Sequence, residues 1–379
     1  MENDGRRSIG TARLSTHQVD VRYYALKDVD RLKQDWKALE RNAAPTIFLS
    51  WQWIGSWIET YQLPLFVLEI IDQQGVVVGL ALLCQQRQRK WGFIPRKTFY
   101  LHQAGVHHLD QIWIEYNGIL SDRSVQSQVE ATALNYLRNE LAWDEWVISG
   151  IAKGDLLQYQ KLLACSGFLR WSAPCYGVNL SSLRQDSSDY RLSLSSNTRY
   201  QINRSQRFYQ QHGVLSIKRP VDVDEALRFY EEIGPLHIQR WSEHAEPSGF
   251  LNPDFVRFHE TMIKNHWPLN IDILKVHAGG VQIALIYNFI FANKVYFYLG
   301  VFKQESDNKL KPGLLAHTLC IEEYKINGFD YYDFMGGEEQ YKSQLGVIHN
   351  ELVQFCFVRN YVVFLIETAL KKIKRFIFK

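Results

Sequence analysis

The sequence predicts an α+β chain built from two copies of one unit, each a mixed, mostly antiparallel sheet flanked by helices. Three observations carry that expectation. The 379 residues exceed what a single hydrophobic core usually serves. Apolar residues switch repeatedly between helical spacing and short β-rich runs. The order of elements in the first half, ααβββαβαβ, then returns in the second at an offset of roughly two hundred residues, the pattern of a duplication.

The first half opens with Leu32, Trp36 and Leu39 at helical spacing. Ser50 then caps a second helix with the stripe Trp53, Ile54, Trp57, Ile58 and Tyr61. LFVLEII and VVVGLALLC are apolar and β-rich, and Asp72, Gln73, Gln74 and Gly75 between them predict a hairpin. A strand over 112–119, a helix over 123–141, a strand over 145–149, a helix over 155–165 and a strand over 168–180 complete the half. The polar stretch 181–190 separates it from a helix over 195–212 closed by Gly213. Helices over 223–243 and 253–266 follow, then LNIDILKVH and VQIALIYNFIF around a turn at Ala278, Gly279 and Gly280. VYFYLGVF, a helix from Gly313, a strand over 331–334, a helical turn over 338–344 and a strand over 347–358 end the second copy. The expected units are 1–185 and 186–360, with a tail at 361–379.

The composition is ordinary for a globular protein, 46% hydrophobic and 22% charged, with a high aromatic share of 14%. A net charge of +3 does not point to a general DNA or membrane binder. The five cysteines are scattered, show no CxxC pair and leave an odd thiol, which predicts reduced core residues in a cytoplasmic protein. MENDGRRSIG has cations but no apolar segment behind them, unlike a secretory signal, and no run of about 18 apolar residues predicts a membrane span. In the tail, Val362, Leu365, Ile366, Ala369, Leu370, Ile373, Phe376 and Ile377 form a helical stripe beside Lys371, Lys372, Lys374, Arg375 and Lys379. This basic amphipathic helix would give peripheral contact with the inner membrane face, or dock on its own protein.

Chemistry-bearing residues gather in five places. DFMGGEEQYK ends a strand at Asp333, breaks at two glycines and enters a turn on which Glu338, Tyr341 and Lys342 share a face. A carboxylate there can take a proton from an ammonium, a phenol can return one to a leaving thiolate, and a lysine can hold an anion. The same spacing also describes a capped helix with a surface Glu–Lys pair. His237, Arg240 and Trp241 share a helix face, as do Arg199, Arg204 and Arg207, either face serving an anionic ligand or solvent. Lys309, Lys311, Pro312 and Gly313 lead into a helix N-terminus suited to a pyrophosphate. His107, His108 and Asp110 fit no standard zinc spacing, so no metal is expected.

Taken in order, WQWIGSWIETY, VVVGLALLC, AGVHHLDQIWIEYNGIL, TRYQINRSQR, LHIQRW, GVQIALIYNFIFANKVYFYLG, KPGLLAH and GFDYYDFMGGEEQYK carry a resemblance over residues 30–358. The sequence resembles the Fem-type and CelD-like acyltransferase branch of the GNAT superfamily, which occurs with polysaccharide and cell-envelope genes. The resemblance implies tandem GNAT-like units and transfer of an acyl group from acetyl-CoA or another acyl-CoA to an amine, on a small molecule or an amino sugar. It implies a donor site in the second unit, where VQIALIYNFIF and VYFYLGVF splay and Lys311, Gly313, Leu314 and Leu315 meet the donor. The acceptor would enter between the halves and lose a proton to His237, Asp333 or Glu338, with Asp333 at the centre of the family motif. Tyr341 would protonate the leaving thiolate, and Lys342, Arg240, Trp241, Arg199, Arg204 and Asp110 would bind substrate. The chain departs from the family at the pyrophosphate loop, where only Gly313 of the usual glycine pattern survives. Fem-type relatives with degenerate loops take aminoacyl-tRNA, which makes such a donor the alternative, with the Arg199 helix as its electrostatic contact. The heptads of their coiled-coil arm are not found, which disfavours tRNA. A GNAT-derived binding protein without catalysis is the remaining reading.

Overall fold

The computed structural model describes residues 19–90, 94–242 and 247–360, with Leu365. Apart from Leu365, the predicted tail helix over 361–379 lies outside the described residues. The first unit runs β1 (Asp20–Ala25), α1 (Val29–Ala43), α2 (Trp51–Tyr61), β2 (Leu65–Ile71), β3 (Val77–Lys90), β4 (Ile94–Leu101), β5 (Leu120–Ser121), α3 (Gln126–Asn139), β6 (Glu145–Ala152), α4 (Lys153–Leu163) and β7 (Ser166–Asn179). The link carries α5 (Leu180–Gln185), α6 (Tyr190–Ser193) and α7 (Ser196–Gln210). The second unit runs β8 (Leu215–Lys218), α8 (Val223–Trp241), α9 (Pro253–His266), β9 (Ile271–Ala278), β10 (Val281–Phe291), β11 (Lys294–Phe302), α10 (Pro312–Ile326), β12 (Tyr331–Gly336), α11 (Gln340–Leu345) and β13 (Val347–Val358).

Local chemistry sets many of these boundaries. The side chains of Asp28, Ser50, Asp222 and Asn252 accept N–H groups at the starts of α1, α2, α8 and α9, and Pro253 occupies the first turn of α9. Between β2 and β3, Asp72 Oδ1 accepts the N–H groups of Gln74 and Val76, each at 2.9 Å, closing the expected hairpin.

Thirteen strands of the described residues join in one sheet, in the order β1-β2-β3-β4-β6-β13-β7-β12-β11-β10-β9-β8, with β5 paired to β3 alongside. The order is symmetric about its middle. Each unit contributes four antiparallel strands and then a parallel neighbour, and each inserts its last strand between the last two of the other. The inserted strands also complete the cores. Val353, Phe355 and Phe357 of β13 pack with the first unit beneath α3 and α4, and Val178 of β7 packs with the second beneath α10. On the opposite face the helix pairs of both units share one core, where the Trp53 ring of α2 lies 4.9 Å from Phe258 of α9.

The segment 112–119, expected as a strand, is irregular. A 3-10 turn spans Leu109–Ile112, and Trp113 and Tyr116 take left-handed backbone angles, φ 48° and 50°, that no strand accommodates. The strand that belongs there is β4, whose IPRKTFYL lacks clean apolar alternation. Strands β1 and β8 are further elements that the periodicity did not reveal.

Candidate active site

The parallel pair β11–β12 is hydrogen-bonded only from Lys294–Tyr296 against Tyr331–Asp333, after which the two strands part. The expected parting of VQIALIYNFIF from VYFYLGVF does not occur. Those strands, β10 and β11, are zipped antiparallel from Phe291/Lys294 to Ala284/Phe302. A two-residue turn at Ala292 and Asn293, both with positive φ, holds their register, whereas β11 and β12 are joined only through α10 and nothing forces them together. The β10–β11 register also slips between Tyr287 and Asn288, leaving Tyr298 as an extra residue in β11. Such a bulge bends its strand where the parting lies.

A cavity of about 460 Å³ fills the gap. Its walls include Phe297 to Gly300 of β11, Phe334 to Gly336 of β12, and Tyr341 and Lys342 of α11. Helix α8 adds His237, Arg240 and Trp241, and the first unit adds Trp113, Glu115 and Trp171. The site is therefore composite, with a floor from the second unit and a rim partly from the first. A second cavity of about 680 Å³ adjoins it, sharing Arg240 and Phe302 and extending past Lys303.

Glu115 is the group that sequence reasoning missed. Its Oε2 accepts the N–H of Gly336 at 2.9 Å, where the parted β12 ends. Burial pushes its carboxyl up to about 7, against the lowering pull of the Gly336 N–H and the Lys342 ammonium. Lys342 is 5% exposed, donates to the Gly336 carbonyl oxygen at 2.7 Å and lies 3.2 Å from Glu339, which also lines the cavity. Gly337 makes this turn possible. At φ 150° an added Cβ would meet Glu339 Oε2 at 2.2 Å and Lys342 Nζ at 2.4 Å. A lone acid in the apolar, aromatic run IWIEYNG was the available signal.

The residues singled out from sequence fall into two groups. Tyr341, Lys342, His237, Arg240 and Trp241 come together on the cavity wall. The Tyr341 ring stacks on His317 at 5.3 Å, and burial raises its phenol well above the ordinary value, keeping it protonated. His237 Nδ1 lies 2.8 Å from Ser248 Oγ, and burial with Arg240 beside it lowers its imidazole to about 4, which makes it a weak base. Arg240 is exposed and forms no ion pair among the described residues.

The others lie elsewhere. Asp333 is 4% exposed beneath the site, where its Oδ2 accepts the Tyr116 hydroxyl at 2.6 Å and its Oδ1 accepts the Met335 N–H at 2.7 Å. Glu338 is exposed and does not line the cavity. Asp110 turns inward onto the N–H groups of Ala104 and Gly105, at 2.7 and 2.9 Å, fixing a loop. Arg199 donates to the carbonyls of Leu192 and Leu194, and Arg204 to Asp307 at 2.9 Å, so part of the basic face of α7 is committed to its own chain. At the start of α10, the Lys311 N–H donates to Ser205 Oγ at 2.8 Å, Leu314 and Leu315 are buried, and Gly313 lies beside Phe302 of the cavity wall. Among the described residues no cluster of His, Cys, Asp and Glu is arranged to hold a metal, and no helix is long and apolar enough to cross a membrane.

No curated protein sequence matches the chain. Many solved structures share the fold at low identity, three of them as follows. FemX superposes with a TM-score of 0.58 at 14% identity, over 91% of this chain and 100% of its own. The C-terminal domain of a putative lysylphosphatidylglycerol synthetase from Agrobacterium fabrum gives 0.53 at 7%, over 91% and 95%. A conserved protein of unknown function from Bacteroides thetaiotaomicron gives 0.52 at 10%, over 89% and 100%. The acetyltransferase (GNAT) domain family matches residues 196–343, which span α7 to α11 and include the parted strands. Residues 196–343 thus carry an acetyltransferase domain of the GNAT type, and the chain as a whole shares the fold of FemX.

Proposed function

We propose that the chain is an N-acyltransferase that moves an acyl group, acetyl in the simplest case, from an acyl-CoA thioester to an amine. The observation that carries this reading is Glu115 on the Gly336 N–H, at the mouth of the gap between β11 and β12. The β12-facing edge of β11 from Phe297 onward has no strand partner and is free to meet a thioester carbonyl. Glu115, with a carboxyl near 7, takes the proton of the incoming ammonium. The amine nitrogen then attacks the carbonyl carbon, the C–S bond breaks, Tyr341 protonates the departing thiolate, and the tyrosinate recovers a proton from the nitrogen as the amide forms. Lys342 balances the negative charge that Glu115 and Glu339 bring to the site. The donor's phosphates would run towards Lys311 and Gly313 at the start of α10, with Arg240 between the two cavities as a second anchor. On this reading the first unit, 1–185, supplies the acceptor side and the second, 186–360, the donor side, in the cytoplasm where acyl-CoA is available.

The acceptor amine is carried on a sugar. Trp113 is 52% exposed and held at φ 48°, a strained conformation for a bulky residue that burial does not repay. Its ring meets Trp171 edge-on at 6.3 Å on the rim, and Glu115, Glu339 and Gln111 lie around the same opening. Aromatic faces beside carboxylates and an amide suit the apolar face and the hydroxyls of a pyranose. The aminoacyl-tRNA alternative loses support because Arg204, one of its electrostatic contacts, is paired with Asp307 within the chain. Released thiol from acetyl-CoA, measured across amino sugars, amino acids and polyamines, tests the proposal. Turnover with amino sugars supports it, whereas turnover only with charged tRNA, or ligand binding with no turnover, overturns it.

Two further outcomes are expected at this site. Trp113→Ala raises the acceptor KM by about tenfold with little change in kcat, in keeping with roughly 1–2 kcal/mol for one aromatic platform. Steady-state kinetics at varied acceptor checks it. Lys342→Met removes the cation that lowers the Glu115 carboxyl, so the rise of kcat/KM with pH moves to the alkaline side of 7, and the rate at pH 7 falls about tenfold or more. An unmoved pH profile would remove that role from Lys342.

A further inference from the structure

The first unit has its own parted strands, and they are not open. The pair β4–β6 is hydrogen-bonded only at Thr98–Tyr100 against Glu145–Val147, the counterpart of the short β11–β12 pairing. Beyond that point the second unit has its cavity and the first unit has Asn117. This side chain is 2% exposed and fully used. Its amide nitrogen donates to the Leu101 carbonyl at the end of β4 at 2.9 Å and to the Ser149 carbonyl in β6 at 3.1 Å. Its oxygen accepts from the Gly118 N–H at 2.9 Å and from His102 Nδ1 at 2.9 Å. His102 Nε2 accepts the Leu82 N–H at 3.0 Å, which leaves the proton on Nδ1. The main chain fits as closely. The Asn117 N–H donates to the Gly150 carbonyl at 2.9 Å, and a Cβ on Gly150, at φ 71°, would stand 2.2 Å from the Ile114 carbonyl oxygen. The material for this closure is the long connector from His102 to Val125. The equivalent connector of the second unit, Lys303 to Lys311, is far shorter and leaves its gap open.

We infer that the first unit's donor slot is permanently filled by the segment 114–117, and that Asn117 is a positioning residue which, anchored in that slot, holds Glu115 in the second unit's cavity. One side of the segment is bolted to β4 and β6. One residue before Asn117, Tyr116 donates to Asp333, and two residues before it Glu115 accepts the Gly336 N–H. A slot that would otherwise take a donor has become the footing of an arm, so one chain has one donor site. The catalytic part of this inference rests on the reading of Glu115 as the base, whereas the closure of the slot does not.

Three measurements test it on the full chain. Hydrogen exchange on the wild-type protein reads the closure alone, with the amides of Asn117 and Gly118 exchanging as slowly as those of β6. Exchange as fast as in an exposed loop overturns the inference whatever the base is. Asn117→Ala, and Asn117→Asp as the near-isosteric variant, should each lower kcat by about 10- to 100-fold through displacement of Glu115. They should also move the pH limb of kcat/KM from near 7 towards the ordinary glutamate value of about 4.5, as the freed carboxylate meets water. A folded Asn117 variant with reduced stability but an unmoved limb near 7 overturns the positioning role. A wild-type profile with no limb near 7 beside slowly exchanging Asn117 and Gly118 would instead discard Glu115 as the base and, with it, the positioning role, leaving only the closed slot. Calorimetric titration with acetyl-CoA should give one equivalent per chain, and two equivalents overturn the closure.

Discussion

Replacing Glu115 with Gln is expected to lower kcat by about 10²- to 10⁴-fold, the usual range for a lost general base. It should also abolish the rise of kcat/KM with pH near 7. Glutamine keeps an oxygen for the Gly336 N–H, so the loop and the cavity stay in place and the loss reports chemistry. Stability gives an independent reading. The folded carboxyl titrates near 7 against an ordinary value of about 4.5, so between those values the folded protein binds more protons than the unfolded chain. Stability therefore falls as pH rises through that window, and the Gln variant, lacking this group, should have a flatter Tm profile and a higher Tm than wild type at pH 8. Asp333→Asn is the informative contrast. Its partners are Tyr116, the Met335 N–H and His349, whose Nε2 lies 3.4 Å from Oδ1, so it should reduce stability and perturb kcat by less than Glu115→Gln while retaining the pH limb. A Glu115→Gln enzyme at wild-type rate, or an Asp333→Asn enzyme without the limb, would return the base to Asp333.

Much of the fold was legible because it is written locally. Ser50 before WQWIGSWIETY, Asp72 in its hairpin and the bounds of β13 are set by caps, turns and apolar spacing within a few residues. Tyr341 and Lys342 were legible for the same reason, since a double glycine after a strand marks a sharp turn at a sheet edge. Glu115 was not, because its place depends on left-handed angles at Trp113 and Tyr116 and on a partner 221 residues away. Likewise, periodicity puts Arg199 and Arg204 on one helix face but does not say that Leu194 and Asp307 are waiting there. The duplication itself was visible in the order of elements. The exchange of last strands was not, since either partner satisfies the same apolar pattern in β7 and β13.

That exchange has the largest consequence for stability. A chain ended after Gly346 loses β13 together with the residues that follow it, and is expected to lose the cooperative fold of both units. In the first unit β13 runs between β6 and β7, pairing from Glu145 to Ala152 on one side and from Ser166 to Gly177 on the other. Without it β6 and β7 face each other across an empty strand width, with two rows of main-chain groups unpaired. Val353, Phe355 and Phe357 also leave the core under α3 and α4. At about 1.5–3 kcal/mol for each buried side chain, those three alone represent roughly 5–9 kcal/mol, a sum comparable to the whole stability of an ordinary domain. The same reasoning forbids the first unit from standing alone, because residues 19–179 carry β7 but not the strand that joins it to β6. Both truncated chains should therefore lack a cooperative thermal transition and near-ultraviolet circular dichroism. Co-expression of 1–185 with 186–379 should restore them, since each fragment supplies the strand the other needs. A 19–179 fragment that melts cooperatively by itself would mean that β6 and β7 can close on each other, and that the shared sheet is not what binds the two units into one folding body.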